Sequence, residues 1–223
     1  MIFSLIRLRR DASPHDVATL GGGDGYRAHQ LIWNLFADNP DRRRDFLYRH
    51  DSAKGWPTFY CVSQREPVDN TGLWDIASKE YRPRLVVAQR LAFMVRVNPV
   101  RSKRDDAGQQ HRHDVIMEAK TRLARLGESI DKPALIQAQG ERWLLERCSS
   151  MGFAASPGGF RADGYRQHRL AKGGKEQPIT FSTLEFNGVL TVTDSDAFVD
   201  KCLFRGVGPA KGFGCGLMLV KRL

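Results

Sequence analysis

No apolar run in the 223-residue sequence approaches the ~18 consecutive positions that cross a bilayer as a helix. A helical membrane anchor is therefore not expected. The opening stretch Met1-Ile-Phe-Ser-Leu-Ile-Arg-Leu8 is too short for a signal-peptide core and has no basic segment or cleavage site around it. It reads as a β-strand, and the chain reads as cytoplasmic. The four cysteines, Cys61, Cys148, Cys202 and Cys215, stand far apart with no Cys-x-x-Cys pair. That spacing argues against a zinc site and, in a cytosolic chain of this size, against a disulfide framework. The one close histidine pair, His111-Arg-His113, sits in a polar basic stretch and reads as solvated side chains. No carboxylate cluster suggests a two-metal nuclease, so neither metal nor cofactor is expected.

What is abundant is positive charge: 35 basic against 25 acidic residues, a net charge of +10. Such an excess points to a polyanionic partner, most often nucleic acid, although charge alone does not separate RNA from DNA or from an anionic membrane surface. The second informative feature is the end of the chain. Gly206, Gly208, Gly212, Gly214 and Gly216 fall within eleven residues, with Pro209 and Lys211 among them and the apolar run Leu217–Val220 beyond. Glycine lets a backbone turn sharply and approach a ligand closely, and successive N–H groups can form an anion-binding concavity. Lys211 adds a mobile positive charge. A plain turn before a last strand is the alternative; in so basic a chain a phosphate partner is the better fit.

Periodicity divides the chain into two α+β halves. In residues 1–100, Ile2–Arg9 alternates as a strand and Gly21-Gly-Gly-Asp-Gly25 closes a polar stretch. Tyr26–Phe36 reads as a helix presenting Ile32, Trp33, Leu35 and Phe36 to a core, with Asp24 as N-cap and Asn39-Pro40 as stop. Asp45–His50 and Phe59–Ser63 follow as strands around a turn at Asp51–Pro57. Extended segments at Leu85–Val87 and Leu91–Val97 close this half. Residues 101–113 are charged and aperiodic and read as a linker. Residues 114–223 begin with two helices, Val115–Leu126 and Pro133–Met151. Strands follow at Phe153–Pro157, Tyr165–Leu170 and Ile179–Val192, then a short helix at Ser195–Phe204 and a last strand at Leu217–Lys221. The economical architecture is two ferredoxin-like (RRM-like) domains in tandem.

Tyr26 and His29 lie three residues apart near a helix N-terminus, on one face, where an anion is favoured. An imidazole exchanges protons near neutral pH. RNA carries its own nucleophile in the 2′-OH, so its cleavage needs proton transfers and a charge clamp rather than a metal. By spacing alone, a histidine beside a helical tyrosine is more often a packing residue. Arg161, Arg166, Arg169, Lys172 and Lys175 form a basic segment with Gly173-Gly174 near its end, a hairpin tip that could track RNA phosphates or simply be solvated. Asp41-Arg42-Arg43-Arg44 reads as a solvated turn.

Several of these motifs together resemble the CasE family, the endoribonucleases that process repeat transcripts in type I-E CRISPR systems. Tyr26-Arg-Ala-His-Gln-Leu-Ile-Trp33 is similar to the family's Tyr-x-x-His-x-x-x-Trp helix. Arg44-Asp-Phe-Leu-Tyr48, Arg96-Val-Asn-Pro-Val100 and Phe186-Asn-Gly-Val-Leu-Thr-Val192 resemble family strands, and Gly206 to Leu217 the glycine-rich loop. The resemblance implies metal-independent cleavage at the 3′ base of a repeat hairpin, leaving 2′,3′-cyclic phosphate and 5′-hydroxyl ends. It places catalytic roles on His29 and Tyr26, and stem recognition on a basic hairpin of the second domain. It also implies retention of the CRISPR repeat RNA within the multi-subunit surveillance complex.

The rival reading is a non-catalytic RNA-binding module or a structural subunit of a ribonucleoprotein. Lys211-Gly-Phe-Gly resembles the start of an RNP1 motif, in which Phe213 would stack a base. Cys215 and Gly216 then stand where that motif has Phe and Val.

Overall fold

The computed structural model describes residues 1–21, 25–37, 43–51, 56–170 and 178–223. Strand β1 (Ile2–Leu8) buries Ser4, Ile6 and Leu8 on one face. Two helices follow, α1 (Pro14–Gly21) and α2 (Gly25–Asn34). The first was not legible as a helix. Ser13 caps it by accepting the Asp16 N–H at 3.2 Å, and Pro14 opens it with φ already set. In the second, Ala28 and Ile32 are buried, with Leu35 and Phe36 in the turn that follows. The expected cap Asp24 and stop Asn39-Pro40 lie outside the described residues.

Strands β2 (Phe46–Asp51), β3 (Thr58–Ser63) and β4 (Trp74–Glu80) complete an antiparallel sheet of order β2-β3-β1-β4. Strand β4 carries only Trp74 and Ile76 as large apolar residues and is otherwise polar or small, as suits an edge strand with a mostly wet surface, so its alternation is too short to mark it. The segment around Leu85–Val87, expected to be extended, forms no strand, and Val86 and Val87 are exposed.

Strand β5 (Arg90–Val97) corrects the expected domain division. Its alternation is as anticipated, but it pairs with β10 (Ile179–Val192) and β11 (Met218–Arg222), not with the first sheet. With β9 (Phe160–Leu170) on the other edge of β10, the second sheet runs β11-β5-β10-β9, and the short β8 (Phe153–Ala154) extends that edge. In each sheet the last strand lies beside the first, then the third, then the second. That is the ferredoxin-like order, and in the second half it requires β5 as the opening strand. The sheets therefore part between Glu80 and Arg90, ahead of residue 100.

Residues 101–113 are likewise not an irregular linker. Strands β6 (Val100–Arg104) and β7 (Gln110–Asp114) pair as a separate two-stranded hairpin. Its charged side chains face water on both sides, so no apolar period betrayed it. Asp114 then caps α3 (Val115–Arg125), accepting from the N–H groups of Ile116 and Met117. Helix α4 (Lys132–Cys148) is capped by Asp131. Trp143 and Leu144 on α4 join Phe153, Phe186 and Phe198 in the second core. The helical turn α5 (Ser195–Ala197) runs into a π-helical segment, Phe198–Phe204, that leads to the glycine loop. Among the described residues no helix is long and apolar enough to cross a membrane.

Candidate functional site

The glycine loop is the joint between the two halves. Gly206, Gly208, Gly214 and Gly216 all have positive φ, between 72° and 91°, which other residues adopt only with strain. Gly206, Gly214 and Gly216 are buried. A Cβ on Gly206 would stand 2.8 Å from the Leu47 side chain, and one on Gly214 would stand 3.3 Å from the Tyr48 ring. Gly206 and Gly214 thus let the loop press against β2 of the first sheet, while Gly216 packs against the loop's own Val207 and Lys211. Several loop N–H groups are spent internally: Val207 donates to Gly216 O, Phe213 to Ala210 O, and Gly216 to Arg96 O. What the loop presents to the first half is therefore Lys211 to Phe213, a 3-10 turn.

Here the structure unites residues far apart in sequence. The Gly212 carbonyl accepts a hydrogen bond from His29 Nδ1–H at 2.5 Å and another from the Tyr48 hydroxyl at 2.9 Å. A carbonyl has no proton to give, so Nδ1 carries the hydrogen and Nε2 is the ring's basic nitrogen in the neutral tautomer. His29 is half-buried, and burial pulls its pKa below the usual 6.5. The Gly212 bond opposes this and the nearby Arg44 charge adds to it. Burial also lowers the Lys211 pKa, with Arg44 contributing. Arg44 thus belongs to the site, half-buried, rather than to a solvated turn. Its neighbours Asp41 and Arg42 lie outside the described residues.

A row of rings runs from α2 across the joint. His29 lies 5.7 Å from Trp33, one turn on, and 5.2 Å from Phe213. Phe213 stacks on Phe181 at 5.0 Å, and Phe181 on His168 at 4.7 Å. Phe213 is thus engaged by two rings and sits in a turn well before β11 begins, unlike an RNP1 aromatic on an open strand. A cleft of 320 Å³ lined by Arg27, His29, Gln30, Trp33 and Asn34 opens beside this row. Tyr26 lies within the first turn of α2, three residues from His29, but its side chain is outside the described residues.

The basic segment divides. Gly164, at φ 62°, makes a bulge in β9, and the register against β10 shifts between Thr183 and Glu185. Arg161 pairs with Asn187 and Arg166 with Thr183, so both share the face of Phe181 and Glu185. Arg169 pairs with Thr180 and faces the other way. Simple alternation would have grouped Arg161 with Arg169. Arg161 is exposed and ion-paired with Asp163 at 2.8 Å. Lys172, Gly173, Gly174 and Lys175 lie outside the described residues.

Beneath the loop, Glu185 bridges the halves. Its carboxylate accepts from Arg49 Nη1 of β2 at 2.9 Å and from Arg96 Nε of β5 at 2.5 Å. Arg96 also donates to the His50 carbonyl at 3.2 Å. Burial, then the Arg96 charge, lowers the His50 pKa to about 4. Tyr48 and Arg96 fall in segments that resemble the family's, but no local spacing gives Tyr48, Arg49, Arg96 or Glu185 its role, since each partner lies dozens of residues away. Among the described residues no group of three or more His, Cys, Asp or Glu side chains is placed to hold a metal ion.

Comparison with known proteins places this arrangement in context. Residues 1–222 match a family described as CRISPR associated protein. The CRISPR system Cascade subunit CasE of Escherichia coli K12 is 31% identical over 205 residues, which are 91% of this chain and 94% of that protein. The structure of Thermus thermophilus Cse3 bound to an RNA representing a pre-cleavage complex matches with a TM-score of 0.70 at 21% identity, over 99% of this chain and 98% of that one. The CRISPR-associated protein Cas6e of E. coli K-12 matches over the whole of both chains, with a TM-score of 0.60 at 23% identity. The fold shared with these structures is the tandem ferredoxin-like pair.

Proposed function

The chain belongs to the CasE family of CRISPR-associated proteins, and from that premise we propose that it cleaves precursor CRISPR RNA without a metal ion. The substrate is the hairpin of the repeat transcript, cut at its 3′ base. The observation that carries this reading is the bond from His29 to the Gly212 carbonyl, 183 residues away in sequence. It holds the one histidine of the α2 helix in a defined tautomer near the Arg44 cation, against the loop residue that follows Lys211.

In the mechanism, His29 Nε2 takes the proton of the 2′-OH as its oxygen attacks the adjacent phosphorus. The P–O5′ bond breaks, leaving a 2′,3′-cyclic phosphate and a 5′-hydroxyl. Lys211 and Arg44 offset the charge that builds on the phosphorane oxygens, where fixed positive groups in a partly dry site act strongly. Lys211, its pKa lowered by burial, is suited to protonate the departing 5′-oxygen. Tyr26 orients the 2′-OH. Arg161 and Arg166 hold the stem's phosphates, and the product hairpin stays bound as the protein joins its surveillance complex, as the name of its E. coli relative suggests.

Two measurements test this chemistry. Excess EDTA leaves cleavage of the source's own repeat RNA intact; complete loss would require a metal. The pH profile tests the role of His29. A base works only when unprotonated, and the His29 pKa is depressed. The single-turnover rate should therefore rise with pH and level off below the ordinary histidine value of 6.5. A rate that falls with pH over that range would make His29 the acid instead.

A further inference from the structure

A groove of 1020 Å³ lies away from His29, between the β6–β7 hairpin and helix α3. Arg101, Lys103, Arg112, Arg122, Arg125 and Arg142 line it. Its only acids are Asp114 and Glu118. Asp114 is occupied capping α3 and accepting the Tyr165 hydroxyl at 2.8 Å, and Glu118 pairs with Lys103. Arg101 and Arg142 both reach Glu146. Arg112, Arg122 and Arg125 have no ion-pair partner among the described residues. The carboxyl end of α3 favours Arg122 and Arg125 through its dipole. That account does not reach Arg112, which comes from the hairpin across the groove and adds to the same field.

The core behind the groove also reaches the glycine loop. The Trp143 ring packs against Gly208, where a Cβ would stand 3.2 Å from its Cη2 atom. The same ring donates its Nε1–H to the carbonyl of Val100 at 2.9 Å, and Arg101 follows Val100 at the head of the groove. Trp143 is fully buried, so what joins the groove wall to the loop is packed core rather than a surface track.

We propose that this groove binds the phosphate backbone of the RNA beyond the point of cleavage, with Arg112, Arg122 and Arg125 as its phosphate contacts. The proposal rests on the RNA-cleavage reading for its ligand, yet it concerns affinity and not chemistry. The backbone could belong to the hairpin stem or to a single-stranded flank, because both present the same phosphodiester.

The test replaces all three arginines with alanine in the full chain and, in a second variant, with lysine. Binding is measured over a range of salt concentrations for the repeat hairpin alone and for the hairpin with its single-stranded flanks. Each phosphate contact contributes roughly 0.9 to the slope of log K against log salt on a duplex and roughly 0.7 on a single strand. The alanine variant should bind at least ~10-fold more weakly near physiological salt and lose about 2–3 from that slope. The lysine variant should keep most of both. A loss seen with the bare hairpin assigns the stem; a loss confined to flanked RNA assigns the flank. Unchanged affinity and slope with both RNAs would overturn the proposal, and would do so decisively if assembly with a protein subunit were lost instead. If the wild-type protein binds through these arginines but fails to cleave, the cleavage reading falls and the groove stands.

Discussion

Replacement of His29 with alanine lowers the rate of repeat-RNA cleavage by about 10²–10⁴-fold, the usual contribution of a general base, and leaves RNA affinity nearly unchanged. The asymmetry follows from the local geometry. His29 shares the Gly212 carbonyl with the Tyr48 hydroxyl, so removing the imidazole does not orphan that acceptor. The loop, with Lys211 and its neighbouring Arg44, keeps its shape and charge. Single-turnover kinetics at saturating RNA, read beside a binding isotherm, separate the two quantities. Cleavage at the wild-type rate by the alanine variant would refute the mechanism. A parallel loss of affinity and rate would instead make His29 a part of the loop's packing.

Replacement of Glu185 with alanine destabilises the protein by about 3–5 kcal/mol, the range found when one partner of a buried ion pair is removed. Arg49 makes the cost large. Its side chain is 7% exposed, and its Nε already lacks a partner, so the guanidinium would be left buried and charged without its carboxylate. Arg96 is 29% exposed and can recover water, so most of the penalty falls on Arg49. For a chain of this size the loss corresponds to a Tm lower by roughly 6–20 °C. Thermal or urea unfolding measures it, and a change below ~1 kcal/mol would show the bridge to be dispensable. The site should suffer too. The Arg96 carbonyl holds the Gly216 N–H at 2.7 Å, so β5 carries both the bridge and the root of the glycine loop.

Much of this organisation can be read from residues alone, where a local period or a special residue carries the information. Helix α2 shows its apolar face at helical spacing, and with it the position of His29. The five glycines mark a loop with unusual backbone angles, four of which have positive φ. Strand β5 shows clean alternation, yet alternation says only that one face is buried, not which sheet buries it. The same limit hid the hairpin of β6 and β7, whose faces are both wet, and the polar edge strand β4. The bulge at Gly164 is a further case. One extra residue reverses the parity of β9 and brings Arg166 to the face of Arg161 while sending Arg169 away.

By itself the sequence determined the tandem ferredoxin-like plan, the basic character of the surface, and the two segments, α2 and the glycine loop, between which function was sought. Only the tertiary structure decided how those segments meet. It revealed that the loop's contribution to His29 is a carbonyl rather than a cradle of N–H groups, that Tyr48 shares it, and that Arg44 and Lys211 stand beside it. It also showed Glu185 tying the halves together. The physical reason is range: helical and strand periods are set by neighbours a few residues apart, whereas the bonds that define this site join residues 164 and 183 positions apart. No local pattern records such a pairing, because it arises only when two sheets pack and leave one carbonyl between them.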